Sequence, residues 1–581
     1  MKHNLKRLAA VFGALVALAM VIAACGSSDN TPTPTTKPAA TTAPAATSAA
    51  TTATRAATAA PTPAPTATSA PTATPAPKPK LGGVLQARLP SDTVIWDTYD
   101  ARGGFSTIYT QQILSNLIRF QRDSLSKIEG DTAQSWTASA DGKTITFNLR
   151  KDVKWHDGTQ FTSKDVIYNF TRASDPKYTF NRERLAIIAS MATPDDYTFV
   201  VTLKQASNAF LANVASPFML MYPAAQPDMT AWQKTAIATG PFQLSDFKAN
   251  TATSFVKNKN YYLKDASGTA LPYLDGVTYT IIGDPALALS AFRTGRTQCG
   301  CYNDADYMTA AFDQLKKDIP NANLVLRFTS PHQLRFNMQK APFNNTAFRQ
   351  AIAIGLDKDK IAGVYNGGQN FRPAPPLVSP VNGGQWGLPP EELTKLPGYN
   401  SDHAKDVAIA QQKFKDAGID PKLVNFELAF STFFGPLGDL MATVLGELGL
   451  QVKAAPQTTA DFTSKRLSGS FDVAHETPGV SIDDPSDQYN AILITGGTTN
   501  YGKYSNATVD QLLRDQDTEL DVAKRKAMLW QVQQIELTDF PSVIIFWSAN
   551  VRGTRPEVKG YIVPLLSVTS AQRLEAVWID Q

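Results

Sequence analysis

Between Asp141 and Phe170 the apolar positions change period twice. Ile145, Phe147 and Leu149 alternate with Thr144, Thr146 and Asn148, the pattern of a strand with one buried face, and Asp141-Gly142 sets a turn before it. Val153 and Trp155 repeat the alternation up to a second turn at Asp157-Gly158. Thr162 with Asp165 three residues on then forms a capping-box start for a helix that turns Val166, Ile167 and Phe170 inward. A second helix is announced by Asp284 as its cap, Pro285 in its first turn, Leu287, Leu289, Ala291 and Phe292 as apolar contacts, and Gly295 at its end. Further helices are predicted near 107–118, 346–356, 403–417, 436–448 and 522–537, with strands at 426–430, 451–453 and 543–547. Strands and helices alternate without a solenoid period, so the fold class is α/β.

The first eighty residues follow other rules. Lys2, Lys6 and Arg7 precede an apolar run from Leu8 to Ala24, shorter than the ~20 residues of a spanning helix, which reads as an export signal over 1–24. Ile22-Ala23-Ala24-Cys25 resembles the lipobox of bacterial lipoproteins, which implies cleavage before Cys25 and lipid on its sulfur and new amino terminus. Several acyl chains anchor stably where one binds only marginally. From Thr31 to Lys80 the chain uses only Thr, Pro, Ala, Ser, Lys and Arg, so it has nothing with which to build a core. Residues 25–80 therefore read as a lipid-anchored disordered tether, reaching on the order of 150 Å at ~3.1 Å per residue.

Charge narrows the partners. Setting aside the seven basic and one acidic residues before Leu81 leaves 48 basic and 50 acidic, so the body carries a net −2 and no basic excess for nucleic acid. Cys299 and Cys301, separated by one residue, are expected to be reduced or only partly paired in a loop. No nucleotide loop, dinucleotide glycine pattern, zinc-protease helix or nucleophile elbow occurs, and His3, His156, His332, His403 and His475 stand apart in sequence. His156 is expected to cap a turn, and Asn303-Asp304-Ala305-Asp306 lacks the glycine and glutamate of a calcium loop. The expectation is therefore no enzyme, no cofactor and no metal. The alternative, a secreted cell-surface hydrolase acting on oligosaccharides, needs two cleft carboxylates at suitable separation.

Blocks spread in order along the body carry a resemblance. They are Gly82-Gly83-Val84-Leu85 with Pro90 and Ser91, Ile128 to Trp136, Asp141 to Phe170, Ala192 to Thr198, Thr239 to Phe242, Asn258 to Tyr262, Leu271 to Val277, Phe343 to Asp357, Tyr504 to Asn506, and Trp547. In these the chain resembles the extracellular solute-binding proteins, family 5, that feed peptide, nickel and oligosaccharide importers of the ATP-driven class. The resemblance implies a two-lobed clamp of the type II periplasmic binding-protein kind, in its large cluster with an extra subdomain. Lobe one is expected at 81–330 plus 541–581, with 124–193 inserted, and lobe two at 331–540. The implied protein is a monomer that captures a peptide or oligosaccharide outside the cell and passes it to the permease and ATPase subunits of an ABC-type importer.

In peptide-binding members of that family an aspartate shortly before an acidic-Pro pair holds the peptide amine. Aligned on Asp484-Pro485, this chain has Ser481 at that position and Thr477-Pro478 in place of the usual Gly-Trp, which leaves Asp483 as a substitute or else favours a neutral sugar. The expected ligand contacts are Trp96, Tyr99 and Asp100 from lobe one, with Trp386, Thr477, Gly479, Ser481, Asp483 and Tyr501 from lobe two. Trp547, within its apolar run, leans toward the core.

Overall fold

The computed structural model describes residues 78–92, 96–99, 106–124, 126–300, 308–309, 311–366, 368, 384–399, 402–478, 482–565 and 573–580, all within the compact unit Ala76–Gln581. The export signal, Cys25 and the tether up to residue 77 lie outside the described residues.

The predicted strand and capped helix form where the local pattern puts them. Thr144–Leu149 buries alternate side chains, and it lies between Ala133–Ala138 and Thr198–Leu203 in a four-stranded antiparallel sheet completed by Ile188–Asp195. The Thr162 N–H donates to Asp165 Oδ2 at 2.9 Å, and the helix Ser163–Ala173 buries Val166 and Phe170. The expected end of the inserted segment at 193 falls inside Ile188–Asp195, whose partner strand lies beyond it.

Other expectations shift. The helix predicted near 107–118 is Ser106–Ile113, because Asn116 is drawn out of helical pairing: its N–H donates to Asp131 Oδ2 at 2.8 Å and its Nδ2 to the Ser216 carbonyl at 2.8 Å. Asp284 caps Pro285–Thr294 as expected, but Ala288, Ala291 and Phe292 are its buried face, whereas Leu287 is 64% exposed. The apolar run at 543–547 is the start of a strand that continues to Thr554.

Ten strands form one sheet in the order Gln451–Gln457, Asn425–Ser431, Val473–Glu476, Asn323–Phe336, Ser542–Thr554, Cys299–Gly300, Val84–Leu89, Gly276–Ile281, Ala252–Lys257 and Phe242–Lys248. Asn425–Ser431 is parallel to both neighbours, and Val84–Leu89 is parallel to both of its own. Pro456, which has no N–H to donate, sits in an edge strand. Between the parallel groups run two long antiparallel strands, Asn323–Phe336 and Ser542–Thr554, paired from Asn323 opposite Thr554 to Arg335 opposite Ser542. Their ladder slips between Phe328 and Pro331 and again between His332 and Gln333.

Each end of this ribbon meets a different core. One holds Leu85, Tyr109, Phe147, Trp232 and Tyr279. The other holds Leu334, Phe336, Phe348, Phe430 and Phe546, with Trp386, Tyr489, Leu513 and Leu529 in a cluster of their own. The result is a two-lobed α/β clamp joined by two crossing strands. Buried ions fasten the chain's end to lobe one: Arg119 pairs with Glu575 at 2.8 Å and Arg573 with Asp131 at 2.9 Å.

Candidate functional site

The register locates the cleft. Along Cys299–Gly300 the partner positions fall from Thr554 to Gly553, so the carboxyl ends of the lobe-one parallel strands point back along the second crossing strand toward Trp547. Along Val473–Glu476 the partners fall from Phe336 to Gln333, so the lobe-two parallel strands end toward Pro331, which stands opposite Trp547. Both groups thus direct their carboxyl ends at the slipped stretch of the crossing ribbon. Open α/β sheets receive ligands outside such ends.

The ribbon is clasped from both lobes at this point. Asn366 Nδ2 donates to the Trp547 carbonyl at 3.1 Å while its Oδ1 accepts from the Ala549 N–H at 2.9 Å, standing in for a neighbouring strand. Thr309 Oγ1 accepts from the Val551 N–H at 3.1 Å, and Asn550 Nδ2 donates to Thr329 Oγ1 at 2.6 Å. Arg327, on the first crossing strand, is half-buried, its Nε has no hydrogen-bond partner among the described residues, and burial lowers its pKa.

Two histidines far apart in sequence meet here. His332 Nδ1 lies 3.0 Å from His475 Nε2, and His332 Nε2 lies 2.6 Å from Ser548 Oγ. Ser548, His332 and His475 have the order of a nucleophile, a base and an orienting group. Burial, with His475 beside it, holds His332 well below the usual histidine range, and burial pushes His475 down to about 3. The buried pair ties both crossing strands to the lobe-two strand Val473–Glu476. His332 is the back wall of an aromatic group: Phe546 stacks on it at 4.3 Å, Tyr365 lies at 5.0 Å and Phe434 at 5.5 Å. At the end of the same strand Glu476 pairs with Arg335 at 3.2 Å.

The expected ligand contacts that the structure describes are buried or half-buried. Trp96 is buried in the lobe-one core between Tyr109 and Phe247, at 5.4 and 5.5 Å. Tyr99 is buried with its hydroxyl 2.7 Å from the Leu220 carbonyl, and Arg172, ion-paired with Asp97, lies 4.8 Å over its ring. Trp386 is buried in lobe two, donates its indole N–H to the Asp483 carbonyl at 2.8 Å and carries Arg525 at 4.5 Å over its face. Thr477 and Tyr501 are half-buried, Tyr501 with Arg466 at 5.2 Å. Trp547 is buried, as its apolar run suggested. Asp100, Gly479, Ser481 and Cys25 lie outside the described residues. His156 Nε2 contacts the Gly240 carbonyl at 3.2 Å. Cys299 is buried and disulfide-bonded, which corrects the expectation of a reduced or partly paired loop cysteine.

Asp483 accepts the Gln385 N–H at 3.2 Å, and burial, reinforced by Asp484, pushes its carboxyl up to about 7. The native state therefore keeps a proton that the unfolded chain sheds near pH 4, and this group's contribution to stability falls as pH rises from about 4 to about 7. Asp483→Asn is expected to raise stability by on the order of 2 kcal/mol at pH 8 and to leave it unchanged at pH 3, read from urea unfolding at each pH. A gain of equal size at both pH values contradicts this.

Sequence reasoning missed the aromatic group. Its one visible trace is Phe433-Phe434 one residue beyond the strand Asn425–Ser431 and before Gly435-Pro436, a carboxyl-end position in a parallel group. Among the described residues no cluster of three or more His, Cys, Asp or Glu is placed to hold a metal, and no helix is long and apolar enough to cross a membrane.

A fold of this architecture, with two lobes, paired crossing strands and facing carboxyl ends, defines a solute-binding clamp. The model of bacterial extracellular solute-binding proteins, family 5, matches residues 127–500, and the chain belongs to that family. It is 24% identical over 518 residues to heme-binding protein A of Haemophilus influenzae, covering 81% of this chain and 90% of that protein. It is 26% identical over 466 residues to the periplasmic oligopeptide-binding protein OppA of Salmonella typhimurium, covering 75% and 83%. The structure of the periplasmic binding protein DppA from Helicobacter pylori in complex with the peptide STSA is similar in fold, with a TM-score of 0.70 at 24% identity over 86% of this chain and 99% of that one.

Proposed function

We propose that this protein is a lipid-anchored receptor that captures a peptide between its lobes outside the cell and delivers it, chemically unchanged, to an ABC-type importer. Relatives named for oligopeptides and dipeptides support the substrate class. Within the chain, the observation that favours a peptide over an oligosaccharide is Arg327: a half-buried guanidinium without an acidic partner among the described residues suits a solute that brings a carboxylate. The amine end falls to Asp483 with the loop Thr477, Gly479 and Ser481, and Tyr501 closes the lobe-two side. Asp100 contributes from lobe one. Trp96, Tyr99 and Trp386 act from behind, by holding the cleft walls in place. Lobe one consists of 81–330 and 541–581, with lobe two between, and the clamp hinges at the slipped ribbon. Lipid on Cys25 keeps the receptor, a monomer, at the cell surface, with the stretch after it as tether.

A thermal-shift panel on the Cys25→Ser variant, recovered from the soluble fraction, tests this. A peptide at one hundred times its dissociation constant adds ~2.7 kcal/mol of stability, amidating its carboxyl terminus weakens the shift, and oligosaccharides give none. Stabilisation by oligosaccharides alone, or a variant that stays with the membrane, refutes the corresponding part.

A further inference from the structure

The aromatic group on the lobe-two edge is open to solvent, most of all at Phe433. Phe433 is 81% exposed and Tyr365 is 41% exposed, while the rings behind them are fixed: His332 is 1% exposed and Phe546 is fully buried. The group is continuous. Phe433 meets Phe434 edge-on at 4.9 Å, Phe434 meets both His332 and His475, and Tyr365 lies 5.1 Å from Phe546.

Three chain segments bring it together. Phe433 and Phe434 follow the carboxyl end of Asn425–Ser431, Tyr365 ends the helix Lys358–Tyr365, and His332 stands at the slip of the first crossing strand. That places the exposed rings on the edge toward which the parallel strands of lobe two point, beside Ser548 and the crossing ribbon. Large aromatic side chains left open to water cost solvation free energy that a compact fold recovers elsewhere by burial, and an exposed apolar patch of this kind marks a contact surface. The neutral histidine pair behind it matters too. Depressed far below the usual range, it brings no charge to the wall behind the exposed rings.

We propose that Phe433, Phe434 and Tyr365, backed by His332, form a specificity subsite that takes an aromatic side chain of the captured solute. This rests on the peptide reading above and sharpens it to peptides that carry an aromatic residue. An aromatic ring fits because the exposed partners are themselves rings, which reward offset or edge-on contact beyond simple burial. The competing occupant of the patch is lobe one itself on closure, and that alternative makes a different prediction.

The test is a calorimetric titration of the full chain with alanine peptides of two to five residues and with the same peptides carrying one phenylalanine at each position in turn. Wild-type protein is expected to bind at least one phenylalanine peptide about tenfold more tightly than its all-alanine parent. Phe433→Ala, at an exposed position that folding does not need, is expected to erase that preference while leaving the all-alanine peptide within about twofold, and Phe433→Tyr to keep it. Equal affinity of wild type for both peptide series overturns the subsite. So does a Phe433→Ala loss of the same factor for every peptide, which is the signature of the rings meeting lobe one. If no peptide of either series binds, the peptide reading fails and the subsite with it.

Discussion

Arg525→Ala is expected to destabilise lobe two by about 3–5 kcal/mol, because it strands a buried carboxylate. Arg525 donates to both oxygens of Asp484, at 2.9 and 2.7 Å, and through Nε to Gln516 at 2.8 Å. Its guanidinium also covers the Trp386 ring at 4.5 Å. Asp484 is 8% exposed and caps the helix Pro485–Ile492 by accepting the Ser486 N–H at 3.0 Å. Removing the arginine takes away a bidentate pair, a cap's counter-charge and the packing on the indole that holds Asp483 in place. Urea unfolding reads the loss, and Arg525→Met with Asp484→Asn is expected to recover part of it, since no buried charge is then left unpaired. A single variant within about 1 kcal/mol of wild type contradicts this account.

Asp131→Ala is expected to cost at least as much in lobe one. Asp131 is fully buried, and it accepts from the Asn116 N–H at 2.8 Å and from the Tyr262 hydroxyl while pairing with Arg573 at 2.9 Å. Without it, Arg573 is a buried cation beside Arg119, whose own partners are Glu575 and Glu129. The cost is about 3–5 kcal/mol for the orphaned charge, with the two lost hydrogen bonds adding to it. Because Arg573 and Glu575 belong to the returning chain end, limited proteolysis of the variant is expected to cut there first. A variant with unchanged unfolding midpoint and cleavage pattern defeats the prediction.

What the sequence made legible was local. The strand Thr144–Leu149 and the capped helix after it were readable because their signals, alternation and a three-residue capping spacing, lie within one element. The polar second half of the strand Ser542–Thr554 was not readable, since Asn366, Thr309 and Thr329, which satisfy it, come from distant segments. Leu287 shows the limit of hydrophobicity as a guide: the helix it sits on packs Ala288 and Phe292, with Leu289 partly buried beside them, against Phe312 and Leu315, while Leu287 faces water. At the candidate site, Trp96, Tyr99 and Trp386 are buried, and rings are as useful to a core as to a ligand. Asp484 announced a loop of interest, yet its partner Arg525 lies 41 residues away and no spacing rule connects them. The pairing of His332 with His475, across 143 residues, was equally invisible.

The proposed function requires that two lobes shut around a molecule that leaves as it entered. Native mass spectrometry of the protein after incubation with a peptide mixture, followed by release and weighing of what it retained, addresses this directly. The expected result is one peptide per chain, released at its original mass. Empty protein after exposure to millimolar peptide, or release of hydrolysed fragments, contradicts it.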